Sequence, residues 1–163
     1  MTTETRASRS ASAAGLAAFG LAAAAAAVTG SLAAISAADR YGALVQPAWA
    51  PPTWLFGPVW TLLYATIAVA GWLVWRKDGW TGARTALTVF AVQLVLNALW
   101  TPLFFGAGLF GVAFVEIVLL LLSIVATIVL FARHSRPAAG LLVPYLAWVT
   151  FASALNLAIW LLN

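Results

Sequence analysis

Residues 109–132 read LFGVAFVEIVLLLLSIVATIVLFA, with Glu116 as the only charge in the run. An apolar stretch of roughly 20 residues crosses a bilayer as one helix, and its unbroken character selects a helix over an alternating barrel strand. The rest of the chain repeats the message: 64% hydrophobic and 7% charged residues over 163 positions, with mean hydropathy +1.03. A soluble domain is nearer half apolar. The chain is therefore expected to be an all-α integral membrane bundle.

Outward from that run, the punctuation divides the chain into five spans. Gly106 to Gly108 form a short turn before it, and a third span over 83–105 carries Pro102 near its end. After it, Arg133, His134, Ser135, Arg136 and Pro137 close the fourth span, and a fifth occupies 138–162. The second span runs over 54–75, with Pro58 in its first turns, where a missing amide costs little. Arg76, Lys77, Asp78, Gly79 and Arg84 make the loop that follows it. The first span, 13–38, is dominated by alanine and follows a polar tail over 1–12. A basic start before an apolar run also resembles a secretory signal, with small residues near 34–38 imitating a cleavage site; the length of the run favours a retained span.

Between the first two spans, residues 39–53 form a loop stiffened by Pro47, Pro51 and Pro52, which fix φ and lack amide donors. This loop reads as a lid. Directly behind it come Trp54, Phe56, Trp60 and Tyr64, with Trp60 and Tyr64 one helical turn apart on the same side.

Charge sets orientation. Arg6, Arg9, Arg76, Lys77, Arg84, Arg133 and Arg136 fall on one side of a five-span arrangement and only Arg40 on the other, so the N-terminus is expected in the cytoplasm and the lid and Asn163 outside. The net charge of +4 and pI near 10.4 come from basic residues scattered between apolar runs, a pattern of orientation signals and not of a nucleic-acid surface. With no cysteine, the chain excludes disulfides, thiolate metal sites, c-type haem attachment and a cysteine nucleophile.

Two stripes of aromatic and amide residues carry the chemistry. Gln93, Asn97, Trp100 and Phe104 share one face of the third span, and Tyr145, Trp148, Ala152 and Asn156 share one face of the fifth. Amides in hydrocarbon are costly unless paired, so both stripes should face the bundle interior. They serve either as interhelical glue or, with Trp60 and Tyr64, as the walls of a slot for a flat apolar ligand. Trp49, Trp54, Trp72, Trp75, Trp80 and Trp160 fit headgroup belts instead. Glu116 is expected to make a structural hydrogen bond, since neither a second carboxylate nor a histidine accompanies it. His134 lies among arginines at a span end and reads as an interfacial residue; no metal site is expected, and no axial imidazole lies within the slot.

Three blocks, PPTWLFGPVWTLLY (51–64), QLVLNALWTPLFF (93–105) and LLVPYLAWVTFASALNLAIWLLN (141–163), closely resemble the translocator protein/tryptophan-rich sensory protein family (TspO/MBR). The resemblance covers nearly everything from Tyr41 to Asn163, while the first span matches in hydrophobic character alone. It implies a five-helix bundle, often a homodimer, in a bacterial cell membrane. Its pocket beneath the first loop takes porphyrins such as protoporphyrin IX or haem as ligands, and no resident cofactor is required.

Carried over residue by residue, the two pocket tryptophans fall on Trp60 and Trp148, the lid tyrosine on Tyr41, and the polar positions on Gln93 and Asn97, with Pro51 a further expected ligand-binding residue. Trp100, Ala152 and Leu155 occupy further lining positions. The resemblance implies sensing or regulation of tetrapyrroles under oxidative or light stress. In some bacterial members the tryptophans matching Trp60 and Trp148 are implicated in light- and oxygen-dependent porphyrin breakdown, and transport of small amphipathic ligands is a further reading. Leu157 and Leu161 stand where animal members carry the tyrosine and basic residue of a cholesterol-recognition segment, which argues against steroid transport in the animal manner.

Overall fold

A computed structural model describes residues 9–35 and 41–163, with side chains over 12–29 and 41–163. The polar tail before residue 9, the end of the first span and Asp39 and Arg40 lie outside the described residues. The elements are α1 (Arg9–Ile35), a 3-10 turn (Thr53–Leu55), α2 (Phe56–Gly82), α3 (Arg84–Thr101) continued by a π-helical turn (Pro102–Gly106), α4 (Phe110–His134), α5 (Arg136–Leu141) and α6 (Val143–Leu162). Among the described residues five segments are long and apolar enough to cross a membrane, α5 and α6 together forming the fifth.

The helices close a ring. α1 lies between α2 and α3, α3 runs along α4, α4 along α6, and α6 approaches α2 to complete the circuit. Small residues set the spacing at the α1–α2 seam. A Cβ on Gly15 would fall 2.0 Å from the Trp75 ring, and one on Gly71 would fall 2.7 Å from Phe19 and 2.9 Å from Phe90, so neither position accommodates a side chain without a shift. The Trp72 indole N–H donates to the Ser12 carbonyl at 2.9 Å and ties the same seam near the start of α1.

The distribution of polarity is inverted relative to a soluble bundle. Gln93, Asn97, Glu116, Thr127, Ser153 and Asn156 are buried, while the exposed face of α4 presents Val112, Val115, Leu119, Leu122, Val125 and Val129. Lipid has no hydrogen bonds to offer, so polar groups turn inward and branched aliphatics turn out.

Two local departures from the sequence expectation have physical causes. The loop expected at Arg76 to Arg84 is helical as far as Gly82, with one break at Gly79 (φ 65°, ψ −176°), a conformation open to glycine. The Arg76 guanidinium stacks 4.3 Å above Trp72, and Asp78 meets His134 Nδ1 at 2.6 Å, so charged residues extend the helix past its apolar window. The second departure is in the fifth span, which breaks at Leu142; Pro144 then sits in the first turn of α6, where no amide is needed.

At the other end of α3, Pro102 cannot donate within a helix, and the chain widens by closing Ala107 N–H on Pro102 O at 2.9 Å and Leu109 N–H on Leu103 O at 3.1 Å. Gly108, at φ 66°, completes the reversal into α4.

Candidate functional site

The lid lies across one end of the bundle. Gln46 Nε2 donates to the Tyr41 carbonyl, Ala50 N–H to the Pro47 carbonyl, and the Tyr41 hydroxyl points at the Pro51 carbonyl at 3.5 Å. Tyr41 is buried, and its ring meets Phe56 and Phe105 edge-on at 5.8 and 6.1 Å. Burial pushes the Tyr41 phenol above its ordinary pKa, so it remains a neutral donor at physiological pH.

Beneath Tyr41 a cavity of about 530 Å³ lies between α1, α2 and the end of α3. Its aromatic walls are Tyr41, Phe56, Trp60, Tyr64, Trp100 and Phe105. The rest of the lining is small: Gly20, Ala23, Ala24 and Ala27 from α1, and Gly57, Thr61, Ala65 and Ala68 from α2 beside its rings. Such volume and apolar character are those of sites that take drug-sized ligands, which run from about 300 to 1,000 Å³. A second cavity of about 260 Å³ lies between the lid and the α3–α4 turn, lined by Ala43, Leu44, Phe104, Phe105, Ala107, Gly108 and Phe110.

Behind the aromatic wall the bundle is filled and bonded. The Tyr64 hydroxyl donates to Asn97 Oδ1 at 2.6 Å, Asn97 Nδ2 donates to the Tyr145 hydroxyl at 3.0 Å, and that hydroxyl donates to Gln93 Oε1 at 2.9 Å. The chain starts at a cavity-lining residue and runs through α3 to α6. A second link joins Trp100 Nε1 to Asn156 Oδ1 at 3.1 Å, and Asn156 Nδ2 to the Phe110 carbonyl at 2.9 Å. Among the described residues four buried side-chain atoms have no hydrogen-bond partner: Gln93 Nε2, Trp148 Nε1 and both oxygens of Glu116. The structural hydrogen bond expected for Glu116 is therefore not made, although the side chain is only 8% exposed.

Residues 18–161 match the TspO/MBR family. The chain is 46% identical over 123 residues to the tryptophan-rich protein TspO of Archaeoglobus fulgidus, covering 76% of this chain and 79% of that one. It is 42% identical over 122 residues to the human translocator protein (74% and 72% covered), and 37% identical over 125 residues to the tryptophan-rich sensory protein of Cereibacter sphaeroides (77% of each).

The chain belongs to the TspO/MBR family. Membership and the five apolar helices make it a multi-pass integral membrane protein.

Within this TspO/MBR chain the residues singled out from sequence divide into groups. Tyr41, Trp60, Tyr64 and Trp100 line the larger cavity, and Phe104 lines the smaller one. Gln93, Asn97 and Tyr145 form the hydrogen-bonded seam behind the wall, and Ala152 and Leu155 are buried in the core. Pro51, buried within the lid, is the acceptor opposite Tyr41. The rings of Trp60 and Trp148 have different neighbours. Trp60 packs on Tyr64 at 5.3 Å and Tyr145 at 6.3 Å, whereas Trp148 packs on Phe56 at 5.9 Å and Phe151 at 5.5 Å, one ring removed from the cavity wall.

Sequence reading did not find the α1 wall, because a run of alanines gives no directional signal of its own. A usable signal was the Gly57, Thr61, Ala65 series at every fourth position of α2, which leaves a shallow strip beside Trp60 and Tyr64. Trp54, Trp80 and Trp160 are exposed at span ends. His134, at the end of α4, pairs with Asp78, and among the described residues no group of His, Asp and Glu converges as a metal site.

Proposed function

We propose that this protein binds a tetrapyrrole, of the protoporphyrin IX class, in the cavity under the lid, and that this occupancy serves sensing or regulation of tetrapyrrole levels. What supports the reading is the cavity of about 530 Å³ lined by six aromatic rings and otherwise by glycine, alanine and threonine. A planar macrocycle buries large area against aromatic faces, and a wall of small residues admits it edge-on. With His134 bonded to Asp78 at a helix end, ring stacking and amide contacts, not an axial imidazole, would hold the guest. The free donor at Gln93 Nε2 offers one polar contact once the seam adjusts. Assembly as a homodimer, implied by the family resemblance, is part of the same proposal.

Titration of the purified protein with protoporphyrin IX, followed by tryptophan emission, is expected to saturate. Non-saturable quenching in the wild type, or undiminished affinity in Trp60→Ala, overturns the reading.

A second reading is supported by one placement: the Trp60 indole stands on the cavity wall, where an excited porphyrin could exchange an electron with it while dioxygen supplies the oxidant. Illumination of the complex in oxygen would then yield a new bilin-like absorbance, slowed in Trp60→Phe. Equal rates in the variant and the wild type sink indole participation.

A further inference from the structure

Apart from the Gln46 amide on Tyr41 O and the Tyr41 hydroxyl facing Pro51 O, the lid has little bonding of its own. Across 41–52 its internal backbone bonds are Leu44 N–H to Tyr41 O at 3.3 Å and Ala50 N–H to Pro47 O at 2.9 Å, and its three prolines contribute no donors. Besides the Tyr41 ring against Phe56 and Phe105, it is fastened by α6 and by Asn163 just beyond it. The Trp49 ring lies edge-on to Phe151 at 5.7 Å, and the Asn163 side chain grips the backbone of Val45 on both sides. Val45 N–H donates to Asn163 Oδ1 at 3.0 Å, and Asn163 Nδ2 donates to Val45 O at 3.1 Å. The same Nδ2 donates to Ile159 O at 2.9 Å, which fixes the amide: turning it over would set oxygen against oxygen at Ile159. A primary amide is the one short side chain that offers a donor and an acceptor side by side, as a neighbouring strand would. Asp lacks the donor and Ala both.

We propose that Asn163 is a positioning residue that latches the lid shut over the cavity. The latch acts through Tyr41, four residues before the gripped Val45, whose buried ring lines the cavity and packs against Phe56 and Phe105. Because Val45 is exposed, water competes for both bonds, so the latch is weak enough to open and sets a residence time and not a permanent seal. The inference rests on the ligand-binding reading for its purpose, but not for its geometry.

The test separates the two. The chain has no cysteine, so Ala68→Cys puts a single thiol in the buried part of the cavity wall. Its maleimide labelling reports opening without any ligand, and stopped-flow release of protoporphyrin IX reports residence time. Combining Ala68→Cys with Asn163→Ala is expected to raise the labelling rate roughly three- to tenfold, the scale of two exposed hydrogen bonds. Asn163→Ala alone should speed protoporphyrin release by a similar factor. Asn163→Asp, which keeps the acceptor for Val45 N–H, should fall between. A variant that merely loosened the fold would lower the melting temperature without this ordering of Asn, Asp and Ala. Labelling at the parent rate in Asn163→Ala overturns the latch whether or not protoporphyrin binds. Accelerated labelling with unchanged protoporphyrin release also overturns it, since the guest then leaves by another path. Accelerated labelling in a protein that binds no protoporphyrin supports the latch and overturns the ligand reading alone.

Discussion

On one side of Tyr64 the bundle holds a cavity; on the other it holds a continuous seam of amides and phenols with the space between helices filled. Both regions are built from the same residue types, aromatics interleaved with small or amide side chains at helical spacing. They differ in what stands opposite. Between α2 and α6, the α3 amides find the Tyr64 and Tyr145 hydroxyls as partners. At the cavity, Trp60 and Tyr64 of α2 stand with Gly20, Ala23, Ala24 and Ala27 of α1, and a void remains. An aromatic residue in this fold therefore lines a site when its neighbouring helix is poor in side-chain volume, and acts as packing when it is rich.

Five substitutions sharpen or break that contrast, the largest effect first. Asn97→Leu removes the centre of the seam and leaves the Tyr64 hydroxyl without its acceptor; it should cost about 3 kcal/mol of unfolding stability in detergent. A loss under about 0.5 kcal/mol would show that the seam is glue of little strength, nearer the average for polar contacts between membrane helices. Glu116→Leu should act in the opposite direction. Its buried carboxyl has no partner, so an apolar replacement of similar size is expected to stabilise by about 2 kcal/mol, read as a higher melting temperature. Destabilisation instead would reveal a partner that the protein alone does not supply.

On the cavity side, Trp60→Ala is expected to weaken protoporphyrin binding roughly tenfold or more, while Trp148→Ala, one ring further back, changes it less than about threefold. Equal losses would mean that Phe56 swings aside and the two regions merge when the guest arrives. The smallest effect belongs to neither region: His134→Ala breaks an accessible pair with Asp78 and should cost about 0.5 kcal/mol at most, with no change in binding.

Much of this was legible in residues. The apolar runs between charges gave the five spans, and the i, i+4 and i, i+7 spacing put Gln93, Asn97 and Trp100 on one inward stripe, where they are found buried. Periodicity says which face turns in; it does not say which helix is met there. For that reason the amides could not be separated from the cavity walls in advance, nor could Trp148 be placed behind Phe56. The α1 wall was hidden for a related cause, since alanine carries no side chain by which a facing surface declares itself. The latch at Asn163 joins positions 118 residues apart, which no local pattern reports.

The wide turn at Pro102–Gly106 has one more consequence. A π-helical turn amounts to one surplus residue inside an α-helix, and that residue rotates everything after it by roughly 100° relative to the regular register. Phe105, which borders both cavities, owes its bearing to that surplus. Excising Leu103 would restore an ordinary helix at the cost of turning this ring off the partition, so the loss of a single apolar residue would fuse or erase the two chambers.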